Sequence, residues 1–410
     1  MNRRQWLPLI GLTLSVFVFN MSEFMPIGLL TGIAGDFGIA ESGAGMIVSV
    51  YAWAVAVLSL PLMLLLRKTE YKRMLLACVA LFAFFQLLSG VSNSYWMLMA
   101  SRLGVAVAHS IFWSIAAPMA ARVVEPGYAK VALGTIAAGT SVAMIVGLPL
   151  GRMVGIAFGW RTAFVVIAAI SVLVLLLLAA VFPRLENPGT FTARRLPGLF
   201  RNRVIAGIYI TIAAYVTGYF TMYSYIEPFL LQTADASEST VTVVLTVLGL
   251  AGIAGSTLFS RTYDRARFAF MAMSVSTSGL CMLALLHVSP WIALLLAVCA
   301  AMGLCHTAFT VAVQNELLRA SPQDATAVAM SMFSGIFNVG IAMGSIIGGA
   351  VADSVSVDYV GTVGFAFVAC AAVFASVYLI ARIRESEQGA EITPTRCPRS
   401  SPIGLTTEID

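Results

Sequence analysis

Ionisable and amide side chains inside otherwise apolar stretches are where this 410-residue chain could do chemistry. Asn20 and Glu23 stand three apart, so one helix face carries both. Arg102, His109 and Trp113 stand at i, i+7 and i+11, again on one face. A charge deep in an apolar span costs about 3 kcal/mol on insertion scales and so marks a position by default functional. Glu23 and Arg102 are expected at similar depth, which allows an ion pair between them. That pair has two readings. It is a structural tie, or Glu23 meets Arg102 in one state, leaves it in another, and so loads and releases a proton.

Tyr215, Tyr219, Tyr223 and Glu227 follow at four-residue intervals. They form a slowly winding stripe of phenols that ends in a carboxylate. The stripe either lines a cavity or serves packing and interfacial anchoring. His306, Thr310, Gln314 and Asn315 come next, then Ser331, Ser334 and Asn338, the last three on one face. The expected site is therefore proton coupling by Glu23, Arg102 and Glu227. Substrate contact is assigned to Asn20, His109, Trp113, Tyr215, Tyr219, Tyr223, His306 and Asn338. Amides and phenols hydrogen-bond hydroxyls, and aromatic faces cover apolar ring edges, so a small, neutral, hydroxyl-rich solute suits the set. Phe24, Phe112, Phe333, Phe337 and Met144 keep an apolar drug open as the alternative.

These side chains need a scaffold, and composition says which. The chain is 60% hydrophobic and only 10% charged, where soluble domains carry about 25% charged residues. Mean hydropathy is +0.92. The composition points to a multi-span, all-α membrane protein. Polar punctuation predicts twelve spans over 6–31, 43–66, 74–92, 95–121, 131–151, 161–182, 203–231, 240–260, 267–287, 290–318, 326–350 and 359–382. The first is read as an uncleaved span rather than a signal peptide. With the N-terminus inside, all but Arg102, Arg152 and Arg161 of the 24 Lys and Arg fall at the inner side. The outer loops instead hold Asp36, Glu41, Asp235, Glu238, Asp353 and Asp358. This asymmetry predicts both termini in the cytoplasm. Residues 1–182 and 203–384 make two six-helix halves, joined by a cytoplasmic linker at 183–202. A polar tail at 385–410 is expected to be disordered.

Several functions are excluded or disfavoured. The net charge of +5 is scattered and no nucleic-acid motif is present. No lysine follows a glycine, so no phosphate loop of the G-x-x-x-x-G-K type exists. There is no H-E-x-x-H and no G-x-S-x-G, and no enzyme is expected. Six cysteines form no C-x-x-C pair and read as buried free thiols. No metal site and no cofactor are expected. The partners expected are a small solute, protons and lipid, with the chain a monomer.

A shift of 197 residues superimposes His109 on His306, Phe112 on Phe309 and Arg122 on Arg319. It also lays Ala143-Gly147-Gly151-Gly155 on Gly340-Gly344-Gly348-Ala352. Two related halves with a site between them are what secondary transporters show. Small residues every fourth position let helices approach closely in lipid. Gly147, Pro149 and Gly151 are expected to form a packed hinge.

The segments FNMSEFMPIGLL (19–30), VYAWAVAVLSLPLML (50–64), SRLGVAVAHSIFWSI (101–115), GTSVAMIVGLPLGRMVGIAFGWR (139–161), YSYIEPF (223–229) and FSGIFNVGIAMGSIIGG (333–349) carry a likeness. The chain resembles the major facilitator superfamily, its drug:proton antiporter branch, and most closely the bacterial sugar efflux transporters. The resemblance implies a twelve-helix fold in an inner membrane and proton-driven efflux by alternating access. It matches Arg102 to a fourth-helix arginine associated with proton coupling, and Gly147, Pro149 and Gly151 to the fifth-helix glycine–proline motif. The sequence departs from the superfamily after the second span, where Lys68 and Thr69 replace the usual Asp-Arg. Relatives in this branch that move nucleosides or drugs supply the alternative substrate.

Overall fold

A computed structural model describes residues 3–66, 69–125, 128–143, 147–186, 201–322 and 326–392. Lys68, Met144, most of the expected linker and the end of the expected tail lie outside them. Among the described residues there is no strand, and eleven helices are long and apolar enough to cross a membrane. The first half contains α1 Arg3–Phe24, α2 Leu30–Phe37, α3 Glu41–Leu66, α4 Tyr71–Gly90, α5 Tyr95–Val123, α6 Ala129–Val142, α7 Leu148–Phe158 and α8 Trp160–Val181. The second half contains α9 Arg203–Tyr223, α10 Glu238–Thr262, α11 Arg267–Val288, α12 Ile292–Ala320, α13 Thr326–Ser354, α14 Val360–Phe374 and α15 Ile380–Ile392. Phe84, Leu65, Trp96, Leu173 and Val377 are exposed on its outside. That greasy exterior fits lipid as the solvent.

Three boundaries differ from the sequence reading, each for a local reason. The first span does not stop at 31 but bends through a 3-10 turn at Met25–Leu29 and runs on as α2 to Phe37. Pro26 lacks the N–H that the Ser22 carbonyl would accept, so the α-helical ladder fails there. The span expected over 131–151 is two helices, α6 and α7, and continues to Phe158. Pro149 sits in the first turn of α7, where a missing N–H does no harm. Finally, residues 385–392 are not part of a disordered tail. They continue α15, where Glu387 pairs with Arg267.

The seventh span breaks as the first does. After α9 come a helical turn at Ile226–Pro228 and a π-helical turn at Phe229–Thr233. Pro228 stands four residues after Ser224, as Pro26 stands four after Ser22. The same device therefore ends the straight part of the leading helix in both halves.

The small-residue ladders pack helices together. A Cβ on Gly147 would lie 3.1 Å from Met21, and one on Gly151 only 2.5 Å from Met25. In the second half a Cβ on Gly344 would lie 2.9 Å from Phe220 and against the Thr217 carbonyl. So α6 and α7 lie on the leading helix of their half, and α13 lies on α9. Between halves, α3 runs along α13, and α7 meets α10.

Candidate functional site

In the first half the helices converge on His109. Its ring on α5 is buried beside Phe19, Tyr51 and Trp113, with centroids 6.0, 5.4 and 5.9 Å away. The Tyr51 hydroxyl lies 2.6 Å from His109 Nδ1. On the other side of the ring, His109 Nε2 lies 3.7 Å from a Glu23 carboxylate oxygen. A hydroxyl that donates to Nδ1 leaves the neutral imidazole proton on Nε2, facing Glu23.

Arg102 corrects an expectation. It forms no ion pair with Glu23. Its Nη1 donates to Ser22 Oγ at 3.0 Å and its Nη2 to the Ser22 carbonyl at 3.1 Å. That carbonyl is the one Pro26 leaves without a helical donor, so the proline creates the acceptor that draws Arg102 away. The guanidinium also stands 4.5 Å above the Tyr51 ring, a cation–π contact. Gln86 on α4 donates to the same Ser22 hydroxyl. Ser22, Gln86 and Arg102 are all fully buried.

In the second half the phenol stripe is a stack. Tyr215 and Tyr219 centroids are 6.1 Å apart, and Tyr219 and Tyr223 centroids 5.4 Å. His306 lies flat on Tyr219, centroids 3.8 Å apart at 17°. Its Nδ1 is 3.2 Å from the Tyr215 hydroxyl. A small open cleft lies beside this stack. Phe24, Tyr219, Tyr223, His306, Thr307 and Ser256 are among its walls. It offers flat rings, two phenol and two aliphatic hydroxyls and an imidazole, and no fixed charge.

Other expected contact residues lie outside that cleft. Tyr215 is fully buried between Ser278, His306 and Phe309. Asn20 donates its amide back to the Val16 carbonyl at 2.9 Å, and Asn338 to the Ser334 carbonyl at 3.0 Å. His109 and Trp113 belong to the first-half cluster.

Glu227 sits in a third cluster, at the end of the bundle that carries the acidic loops. Its Oε1 accepts from Arg152 Nη1 at 2.9 Å, and its Oε2 accepts from the Thr31 N–H at 3.1 Å. The Thr31 hydroxyl lies 3.0 Å from the same Oε2 and 2.8 Å from Glu41. Arg152 also donates to the Gly28 carbonyl and to Glu238. Expected in an outer loop, Arg152 is instead 1% exposed, because α7 carries it inward to a buried carboxylate on the opposite half. Nearby, Gln232 donates to Glu41 at 2.8 Å, Ser42 to Asp353, and Ser345 to the Gly45 carbonyl at 3.1 Å. Apart from Thr31–Glu41 and Arg152–Gly28, which stay in the first half, these contacts cross between halves. At the basic end, the ion pairs of Arg267 with Glu316 and of Arg319 with Asp264 stay within the second half.

The sequence reading missed Tyr51, Ser22, Gln86 and Arg152. Arg152 carried a signal, since it is one of only three cations that escaped the inner-side bias. Tyr51 and Gln86 carried none, being single polar residues in long apolar runs. Cys78, Cys281, Cys299 and Cys305 are buried free thiols, while Cys370 is exposed on the apolar exterior, against expectation. Cys397 lies outside the described residues.

Two halves of like design, leading helices broken at matched prolines, and buried polar clusters within and between the halves define a membrane transporter. The chain belongs to the Major Facilitator Superfamily, whose family profile matches residues 12–268 and 208–405. It is 41% identical over 355 residues to a probable sugar efflux transporter of Helicobacter pylori strain J99, covering 86% of this chain and 90% of that one. It is 39% identical over 380 residues to a probable sugar efflux transporter of Pasteurella multocida, covering 92% of each. Its fold is similar to a bacterial homologue of the human lysosomal transporter Spinster in an inward-facing, unoccupied conformation. That match has a TM-score of 0.68 at 15% identity and covers 95% of this chain and 98% of the other.

Proposed function

We propose that this protein exports small sugars or sugar-like solutes, driven by protons moving inward, by alternating access of its two halves. The observation that carries the reading is Glu23, a carboxylate set beside His109 and at hand to a buried Arg102, whose neighbour in the chain, Phe24, lines an uncharged aromatic cleft. Relatives named as probable sugar efflux transporters support the substrate class. The halves are residues 1–182 and 203–384. The acidic end faces outward and the basic end, with both termini, faces the cytoplasm of a bacterial cell. Closure at the acidic end then corresponds to an inward-facing state.

In this mechanism Glu23 accepts a proton when the outer side is open and releases it inside. Arg102 supplies the counter-charge in the deprotonated state, and His109 holds the protonated carboxyl in the other. The sugar rests on Tyr219 and His306. Glu227 acts with Arg152 as the outer latch, and Gly147, Pro149 and Gly151 form the seam on which the leading helix moves. One charge crossing about 100 mV supplies roughly 2.3 kcal/mol, enough for an approximately 50-fold gradient.

The test uses inverted membrane vesicles with an imposed proton gradient and labelled arabinose or a galactoside. Accumulation that a protonophore abolishes, and that Glu23→Gln abolishes while sugar binding persists, is expected. Uphill accumulation unchanged in Glu23→Gln sinks the coupling role. Movement of nucleosides or dyes in place of sugars leaves the mechanism and discards the substrate.

A further inference from the structure

We infer that Gln86 is a positioning residue for proton coupling: its amide pins the Ser22 hydroxyl so that Ser22 holds Arg102 away from Glu23 in this state. The inference rests on the proposed coupling role of Glu23. Arg102 is a fully buried cation whose hydrogen-bond partners here, the Ser22 hydroxyl and carbonyl, are neutral. Its Nε is buried without a partner, and so is Oε1 of Gln86. Buried guanidinium groups are normally matched by a carboxylate and fully hydrogen-bonded. Glu23 is the next residue after Ser22, yet it faces His109. The arrangement is that of a cation parked on a neutral substitute while its carboxylate is engaged elsewhere.

Gln86 makes the substitute work. By donating to Ser22 Oγ it fixes that oxygen where the Arg102 fork can reach both it and the Ser22 carbonyl. A hydroxyl free to rotate would hold the fork less well. The other groups within reach of Glu23 are accounted for. They are His109 and Arg102 on α5 and Tyr51 on α3, with the Cys78 thiol of α4 close to Tyr51. On α8 the neighbour of Arg102 is Phe164, which cannot titrate.

Two variants at this one position pull in opposite directions. Gln86→Leu frees Arg102 to approach Glu23 and favours the carboxylate. Gln86→Glu is nearly isosteric, gives Arg102 a competing carboxylate, and disfavours ionisation of Glu23. The readout is a pH titration of intrinsic fluorescence of the purified full chain, in which Trp113 lies 5.9 Å from His109. The transition that Glu23→Gln removes belongs to Glu23. We expect its midpoint to fall by about one pH unit in Gln86→Leu and to rise by about as much in Gln86→Glu. Midpoints that stay put, or move the same way, overturn the inference while the Glu23 reading stands. If Gln86→Leu fails to fold, an unmoved midpoint in Gln86→Glu suffices to overturn it. A Glu23→Gln protein that keeps both the transition and uphill transport overturns the coupling reading and this inference together.

Discussion

Arg152 of the first half reaches Glu227 of the second at 2.9 Å, with both side chains almost wholly buried. Removing one member of a buried pair strands the other and costs about 3–5 kcal/mol. Arg152 has a second carboxylate in Glu238, whereas Glu227 draws its cation from Arg152 alone among the described ion pairs. Arg152→Ala should therefore open the outer side more than Glu227→Gln does. The measurement is labelling of a Tyr219→Cys reporter by an impermeant maleimide added from outside. Equal labelling in wild type and Arg152→Ala would remove the latch role.

Closure at the same end also depends on shape. The Tyr225 hydroxyl fills a notch between the halves, where Gly45 of the first and Gly349 of the second leave no side chain. A methyl at Gly45 would overlap that hydroxyl outright. Overpacking of this kind costs about 1–3 kcal/mol. Gly45→Ala should shift the population outward and raise reporter labelling. Adding Tyr225→Phe, which deletes the overlapping oxygen, should reverse much of it. A double variant labelled as strongly as Gly45→Ala would mean that Gly45 acts by some other contact.

Tyr51 joins the two charged parts of the first-half cluster. Its hydroxyl meets His109 Nδ1 and its ring lies under Arg102. Tyr51→Phe keeps the ring and deletes the hydroxyl, freeing His109 to change tautomer and orientation. Loss of one such buried hydrogen bond is worth about 1–3 kcal/mol. Uphill export should fall by about tenfold, while sugar counterflow, which needs no proton turnover, should stay near the wild-type rate. Equal losses in both assays would point to a folding defect.

How much of this was legible follows from what each residue signals. Hydropathy period and charge bias read the helix count and the two halves, because crossing lipid demands long apolar runs. The ladders read as close packing, and that is where Gly151 and Gly344 sit. Glu23, Arg102 and His109 stood out as polar groups in apolar helices. Which of them touch did not, because sequence gives depth and face but not the side-chain direction between helices. Glu23 and Arg102 stand apart in this state because of one carbonyl, that of Ser22, freed by Pro26. Arg152 was misplaced because charge bias cannot distinguish a loop arginine from a helix arginine buried against a partner on another helix.

Within the second-half stack, Tyr219 and Tyr215 stand differently to the cleft. Tyr219 presents one face to His306 at 3.8 Å and also lines the cleft, while Tyr215 beneath it is sealed from the cleft by packing. If the stack is a platform for a sugar ring, the platform matters more than the phenol oxygen. Tyr219→Phe should then bind arabinose or a galactoside within about threefold of wild type, and Tyr219→Ala about tenfold or more weaker, from an aromatic contact of about 0.5–1.5 kcal/mol plus lost burial. Tyr215→Phe should act differently, weakening the hold on His306 Nδ1 and so lowering stability more than affinity. Binding by calorimetry and thermal unfolding, measured on the same preparations, distinguish these outcomes. Affinity lost equally in Tyr219→Phe and Tyr219→Ala would make Tyr219 a hydrogen-bonding group instead of a stacking surface.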